Sequence, residues 1–124
     1  MKQLLLVFLG GGAGSMLRYS IMRYMNTSHH SIPFGTLTVN VLGSFVIGVL
    51  LGALIKNDPT SGNMSLLLVA GFCGGFTTFS AFAYENYELL KNGEFLNFAL
   101  YTGGSLILGV LAVLLGIWLS RSLI

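Results

Sequence analysis

The stretch Gly71-Phe72-Cys73-Gly74-Gly75-Phe76-Thr77-Thr78-Phe79-Ser80-Ala81-Phe82 concentrates most of the chemistry this chain can offer. Two adjacent glycines followed by two threonines, in the middle of a hydrophobic run, predict a helix that breaks and restarts, with Thr77 or Thr78 available to cap the second half. Lipid cannot satisfy the backbone groups that a break sets free. Such a break survives only when buried in protein or lining a water-filled or ion-filled site. Its carbonyls could hold a hard cation such as Na+, a helix N-terminus aimed at the site would favour an anion, and a plain packing kink is the third reading. Phe79 and Phe82, three residues apart, fall on one helix face. Phenylalanines so placed are ordinarily core or lipid contacts. Ring edges carry partial positive charge, however, and edges turned into a narrow pore favour an anion without the full charge that would trap it.

The other polar groups are few. Asn40 lies within a hydrophobic span, where a buried amide must either hydrogen-bond across helices or line a wet path. Arg18 is the only basic residue well inside a span, at a cost of roughly 2.5–3.5 kcal/mol on insertion scales if it sat at mid-bilayer. A water-facing vestibule would relieve that cost and draw anions; snorkelling to headgroups would relieve it too. No carboxylate lies deep in any span, since Glu85 and Glu88 sit toward the end of the third, and cation or proton transporters usually require one there. Cys73 is the single cysteine, so neither a disulfide framework nor a thiolate metal cluster can be built on it. His29 and His30 share a polar turn without a Cys, Asp or Glu partnership and read as solvated loop residues. Nothing here points to an enzyme.

Positioning these groups requires membrane helices. Of 124 residues, 54% are hydrophobic and 8% charged, too little polar surface for a water-soluble globule of this size. Four apolar runs, residues 3–24, 34–55, 64–90 and 95–119, each suit a bilayer core about 30 Å thick. The expected fold class is an all-α membrane protein, with residues 1–124 forming a single four-helix transmembrane domain and the first helix an uncleaved span, not a secretory signal. The turn Lys91-Asn92-Gly93-Glu94 is short enough to make the third and fourth helices antiparallel neighbours. Small residues at a spacing of four mark close helix contacts: Gly10 and Gly14; Asn40, Ser44, Gly48 and Gly52; Ser105, Gly109, Ala112 and Gly116. The net charge of +2 is spread without a basic cluster, which speaks against a nucleic-acid partner. Lys2, Lys56 and Arg121 on one side face Arg23 and Lys91, with Arg18 nearby, on the other. So balanced a chain has no electrostatic preference for one insertion direction, and copies inserted both ways would pair as an antiparallel homodimer.

The run Gly10 to Tyr19, the run Gly35-Thr36-Leu37-Thr38-Val39-Asn40-Val41-Leu42-Gly43-Ser44-Phe45 and the run Gly71 to Ser80 together resemble the Fluc (CrcB) fluoride channels. The likeness spans the first three helices in order; the fourth matches in length and small-residue content. It implies a fluoride-selective channel in the bacterial inner membrane: an antiparallel, dual-topology homodimer with two fluoride pores, bathed in membrane lipid. It also implies a structural Na+ at the dimer centre, held by main-chain carbonyls at the helix break.

Carried onto this chain, the resemblance puts the sodium site on Gly74 and Thr77 and the pore phenylalanines on Phe79 and Phe82. The pore asparagine falls on Asn40 and the vestibule arginine on Arg18. Thr78, Ser80 and Ser105 become hydroxyl partners along the ion path, and Glu85 the acidic residue near a pore mouth. Tyr101 and Thr102 are looser assignments, because the fourth helix has no sharp motif. The alternative is a small multidrug-type dual-topology transporter, which needs a carboxylate in the first helix that this chain lacks. An accessory subunit without transport of its own would leave the broken third helix unexplained.

Overall fold

The structure, a computed structural model, describes residues 1–26, 31–57 and 62–123, with the side chains of residues 55–57 excepted. His29 and His30, and the Asp58-Pro59 turn, lie outside the described residues.

The regular elements among the described residues are all helical, and four segments are long and apolar enough to cross a membrane: Lys2–Met25, Phe34–Leu54, Gly62–Lys91 and Phe95–Leu123. The first helix, Lys2–Met25, ends at Asn26, which leaves the helical region at φ −78° and ψ 97° while its N–H still bonds the Met22 carbonyl. The second helix covers Phe34–Asn57 and the fourth Phe95–Leu123. Each runs a few residues beyond the span its hydropathy suggests.

Between them the third segment is bent. Its first half, residues 62–76, opens with a short α-turn, Gly62–Met64, continues as a π-helix over Ser65–Cys73 and closes with one α-turn, Gly74–Phe76. Thr77 and Thr78 are extended, and a second half, Phe79–Lys91, restarts from Thr78 as N-cap, whose hydroxyl accepts from the Ala81 N–H at 3.2 Å. The expected break is present, but it sits at the threonines and not at the glycines. Gly74 keeps ordinary helical angles, φ −62° and ψ −38°.

The adjacent glycines serve close approach instead. A Cβ on Gly75 would run into the Gly11 carbonyl, whereas one on Gly74 would meet nothing nearer than the Val69 carbonyl at 3.9 Å. Gly10 and Gly14 likewise admit the Leu67 and Phe72 carbonyls, so the first helix lies against the first half of the third along a glycine seam. The second and fourth helices form the other seam. Gly48 faces the Val113 carbonyl, Gly116 faces the Phe45 carbonyl, and Gly52 lies against Ser120. All three stripes read from the sequence therefore supply residues to these seams. The fourth helix packs along the second and touches mainly the second half of the third.

The turn joining the third and fourth helices is tight. Gly93 adopts φ 76°, which favours glycine, while the Gly93 N–H bonds the Leu90 carbonyl and the Glu94 N–H bonds the Leu89 carbonyl at 2.8 Å.

Candidate functional site

A break in a membrane helix must account for every polar backbone group it releases. At Thr78 the account is closed by Asn40 of the second helix. Its Oδ1 accepts from the Thr78 N–H at 2.8 Å and its Nδ2 donates to the Thr78 carbonyl at 3.1 Å, as a neighbouring peptide would. Of the two roles left open for Asn40, the cross-helix bond is thus present, and one Nδ2 proton remains for another acceptor. At Cys73 the carbonyl accepts both the Thr77 N–H at 3.1 Å and the Thr77 hydroxyl at 2.9 Å.

At Gly75 the partner is Arg18. Its Nε donates to the Gly75 carbonyl at 2.9 Å, with the Ser15 hydroxyl at 3.4 Å from the same oxygen. A cation here meets the negative end of the first half-helix, which explains why a half-buried arginine is tolerated inside a span. Arg18 is therefore not simply a side chain reaching for headgroups. Among the described residues, the carbonyls of Gly74 and Thr77 receive no hydrogen bond from another segment. Each carbonyl oxygen keeps a lone pair for a partner outside the helix.

Beside the break lies an open groove of about 370 Å³. Asn40, Thr78, Phe79, Phe82 and Ser105 line it, together with Gly74 and Thr77, so residues from the second, third and fourth helices meet in one place. Phe79 and Phe82 stand 6.0 Å apart between ring centroids, tilted by 45°, and Phe82 in turn packs on Tyr101 at 5.1 Å. The two rings differ in setting: Phe79 is 79% exposed, whereas Phe82 is half-buried. The Ser105 hydroxyl is buried and has no partner among the described residues. Ser80 is exposed at the start of the second half, its hydroxyl 3.3 Å from that of Thr78. Neither Arg18 nor Glu85 lines the groove.

Glu85 belongs to a separate polar cluster one turn further along. Its Oε1 accepts from the Tyr101 hydroxyl at 2.8 Å and its Oε2 from the Thr36 hydroxyl at 2.6 Å, with the Asn26 amide at 3.5 Å. Thr36 is completely buried and Tyr101 nearly so. Next to it, Thr102 donates to Asn86 at 3.0 Å, and Asn86 donates to the Phe82 carbonyl at 3.1 Å. Tyr101 and Thr102, loosely assigned from sequence, thus bind the fourth helix to the second half of the third. Asn26, Thr36 and Asn86 escaped the sequence reading. Only the capping preference of asparagine after a helix could have flagged Asn26.

Four apolar spans, a break within the third and a groove lined by an amide, hydroxyls and aromatic rings define a multi-pass membrane protein with a groove beside its broken helix. Residues 5–117 match the model of the family described as CrcB-like protein, Camphor Resistance (CrcB), and the chain belongs to that family. A relative from Phocaeicola vulgatus, 48% identical over 98% of this chain and 100% of its own length, is named fluoride-specific ion channel FluC. Relatives of the same name from Gloeothece citriformis and Serratia proteamaculans are 49% and 44% identical, each aligned over nearly the whole of both chains.

Proposed function

We propose that this chain forms a fluoride-selective channel in the bacterial inner membrane, acting as an antiparallel homodimer with two pores and a central Na+. The relatives' shared name supports the ion, and one observation carries the path: the groove at the helix break gathers the Asn40 amide, the Thr78 and Ser105 hydroxyls and the rings of Phe79 and Phe82. Fluoride is small and strongly hydrated, so a narrow path must supply substitute donors along its length. The unused Asn40 proton, the hydroxyls of Thr78, Ser80 and Ser105, and the two ring edges are such donors, and none of them is a full charge that would hold the ion too tightly. Arg18, beside the break, adds positive potential that draws anions toward it.

Two features support a second copy. Phe79 leaves 79% of its surface open in the single chain, and the groove it lines is itself open. A dyad-related copy would wall the groove and give one path per chain. The Gly74 and Thr77 carbonyls suit Na+, a hard cation that prefers oxygen ligands. One chain supplies too few such oxygens, so the set would be completed across the dimer axis. When bound there, the ion would offset the partial negative charge of those carbonyl oxygens.

The test is flux. Purified protein in liposomes should dissipate a fluoride gradient electrically, without a co-transported ion, and chloride much more slowly. Flux that required a proton or cation partner would favour the small multidrug-type alternative.

A further inference from the structure

Glu85 poses a problem for an anion path. A carboxylate one turn from Phe82 would repel fluoride and compete for the same donors. The cluster around it removes the conflict, and the chain of hydrogen bonds that does so begins at Asn26. Its Oδ1 accepts from the Gly35 N–H at 2.7 Å and the Thr36 N–H at 3.3 Å, capping the start of the second helix. That fixes the amide's orientation, so Nδ2 faces Thr36 and donates to its hydroxyl at 3.1 Å. A hydroxyl has a single proton. With its oxygen accepting from Asn26, Thr36 directs that proton to Glu85 Oε2 at 2.6 Å. Tyr101 donates to the other carboxylate oxygen, and Asn26 adds a long third contact. The Thr36 and Tyr101 hydroxyls and the Asn26 amide all donate to Glu85, and the carboxylate lies outside the groove lining. The fit is close: a Cβ at Gly35 would come within 2.6 Å of Asn26 Oδ1.

We infer that Asn26 is a positioning residue that orients the Thr36 hydroxyl and thereby holds the Glu85 carboxylate out of the anion path. This rests on the fluoride-channel reading above, and the arms of the test keep the two apart.

The decisive substitution is Asn26→Asp. Aspartate caps a helix about as well as asparagine, so a residue that only capped the second helix would tolerate the change. A residue that must donate to Thr36 would not, because the new carboxylate takes the Thr36 proton and repels Glu85. Fluoride efflux from liposomes should fall about tenfold or more, the scale of losing a hydrogen bond to a charged group, with elution on size exclusion unchanged. Adding Glu85→Gln to Asn26→Asp should restore flux toward wild type, because the displaced group no longer carries charge. Thr36→Val removes the relay hydroxyl without touching the cap and should show the same loss and the same rescue, which keeps the test decisive should Asn26→Asp fail to fold. Wild-type flux in either single variant, or loss without rescue, overturns the role of Asn26. Absence of fluoride flux in the wild-type chain overturns the channel reading itself.

Discussion

Asn40 takes the place of a neighbouring peptide for Thr78, accepting from its N–H at 2.8 Å and donating to its carbonyl at 3.1 Å. The pair fixes where the third segment breaks and leaves one amide proton facing the groove. Asn40→Asp keeps the acceptor but sets a carboxylate oxygen against the Thr78 carbonyl and adds negative charge to the path. Fluoride efflux should stop or nearly so. Asn40→Ala leaves two buried backbone groups unpaired, each costing about 1–3 kcal/mol, and should lower thermal stability measurably in detergent.

The paired glycines predict opposite outcomes. Gly75→Ala forces a methyl into the Gly11 carbonyl and should cost about 1–3 kcal/mol by overpacking, seen as a lower melting temperature. Gly74→Ala meets no such obstacle within the chain and should leave its melting temperature close to wild type. Equal destabilisation by both would mean that backbone freedom, and not close approach, is what these glycines supply.

Phe79→Ile and Phe82→Ile separate the electrostatic role of a ring from its packing. Both remove the ring edge and should sharply reduce fluoride flux. Both variants lose the Phe79–Phe82 pair at 6.0 Å, and Phe82→Ile loses the Tyr101 contact at 5.1 Å as well, so it should lower stability further, by about 0.5–1.5 kcal/mol for the second pair. Undiminished flux in both variants would reduce these rings to packing.

Arg18→Gln removes the positive charge facing the end of the first half-helix. A partly exposed, charge-assisted bond of this kind is worth about 1–2 kcal/mol, and Arg18→Lys should recover part of it through charge without the planar guanidinium geometry. Thermal unfolding of the three proteins would rank them Arg, Lys, Gln.

Outside the membrane spans, hydrogen bonds from Ser31 and Asn97 hold the Glu94 carboxyl below its usual range. A depressed carboxyl contributes stability that is present above its unfolded pKa and lost as pH falls through the folded one. Glu94→Gln should therefore lose a little stability at neutral pH and none at the acid end, so that the fall in stability on acidification becomes shallower. An acid limb identical to wild type would exclude the contribution.

The four spans were legible in the sequence because hydropathy and length alone decide them, and the small-residue stripes because a spacing of four has few other meanings in lipid. Thr78 was legible as the cap of the second half, whereas the role of Gly74-Gly75 was not. A glycine pair signals backbone freedom and close approach alike, and only the position of Gly11, more than sixty residues earlier, tells them apart. Asn40 was recognisable as a buried amide, but its partner was not. Asn26 and Thr36 were invisible for a related reason: their roles depend on Glu85, which folding brings beside them from a distant part of the chain.

The break also bears on how the protein is made. Residues Gly62–Lys91 form a 30-residue apolar segment, which an insertion machinery would admit as one continuous helix. The second half alone, Phe79–Lys91, has 13 residues and, at about 1.5 Å each, is too short to cross a bilayer core. During synthesis the second helix is already in the membrane when Thr78 arrives, so the Asn40 amide competes with the straight helix for the Thr78 N–H and carbonyl. A nascent chain lacking the amide would reach the same break with the Thr78 N–H and carbonyl unpaired.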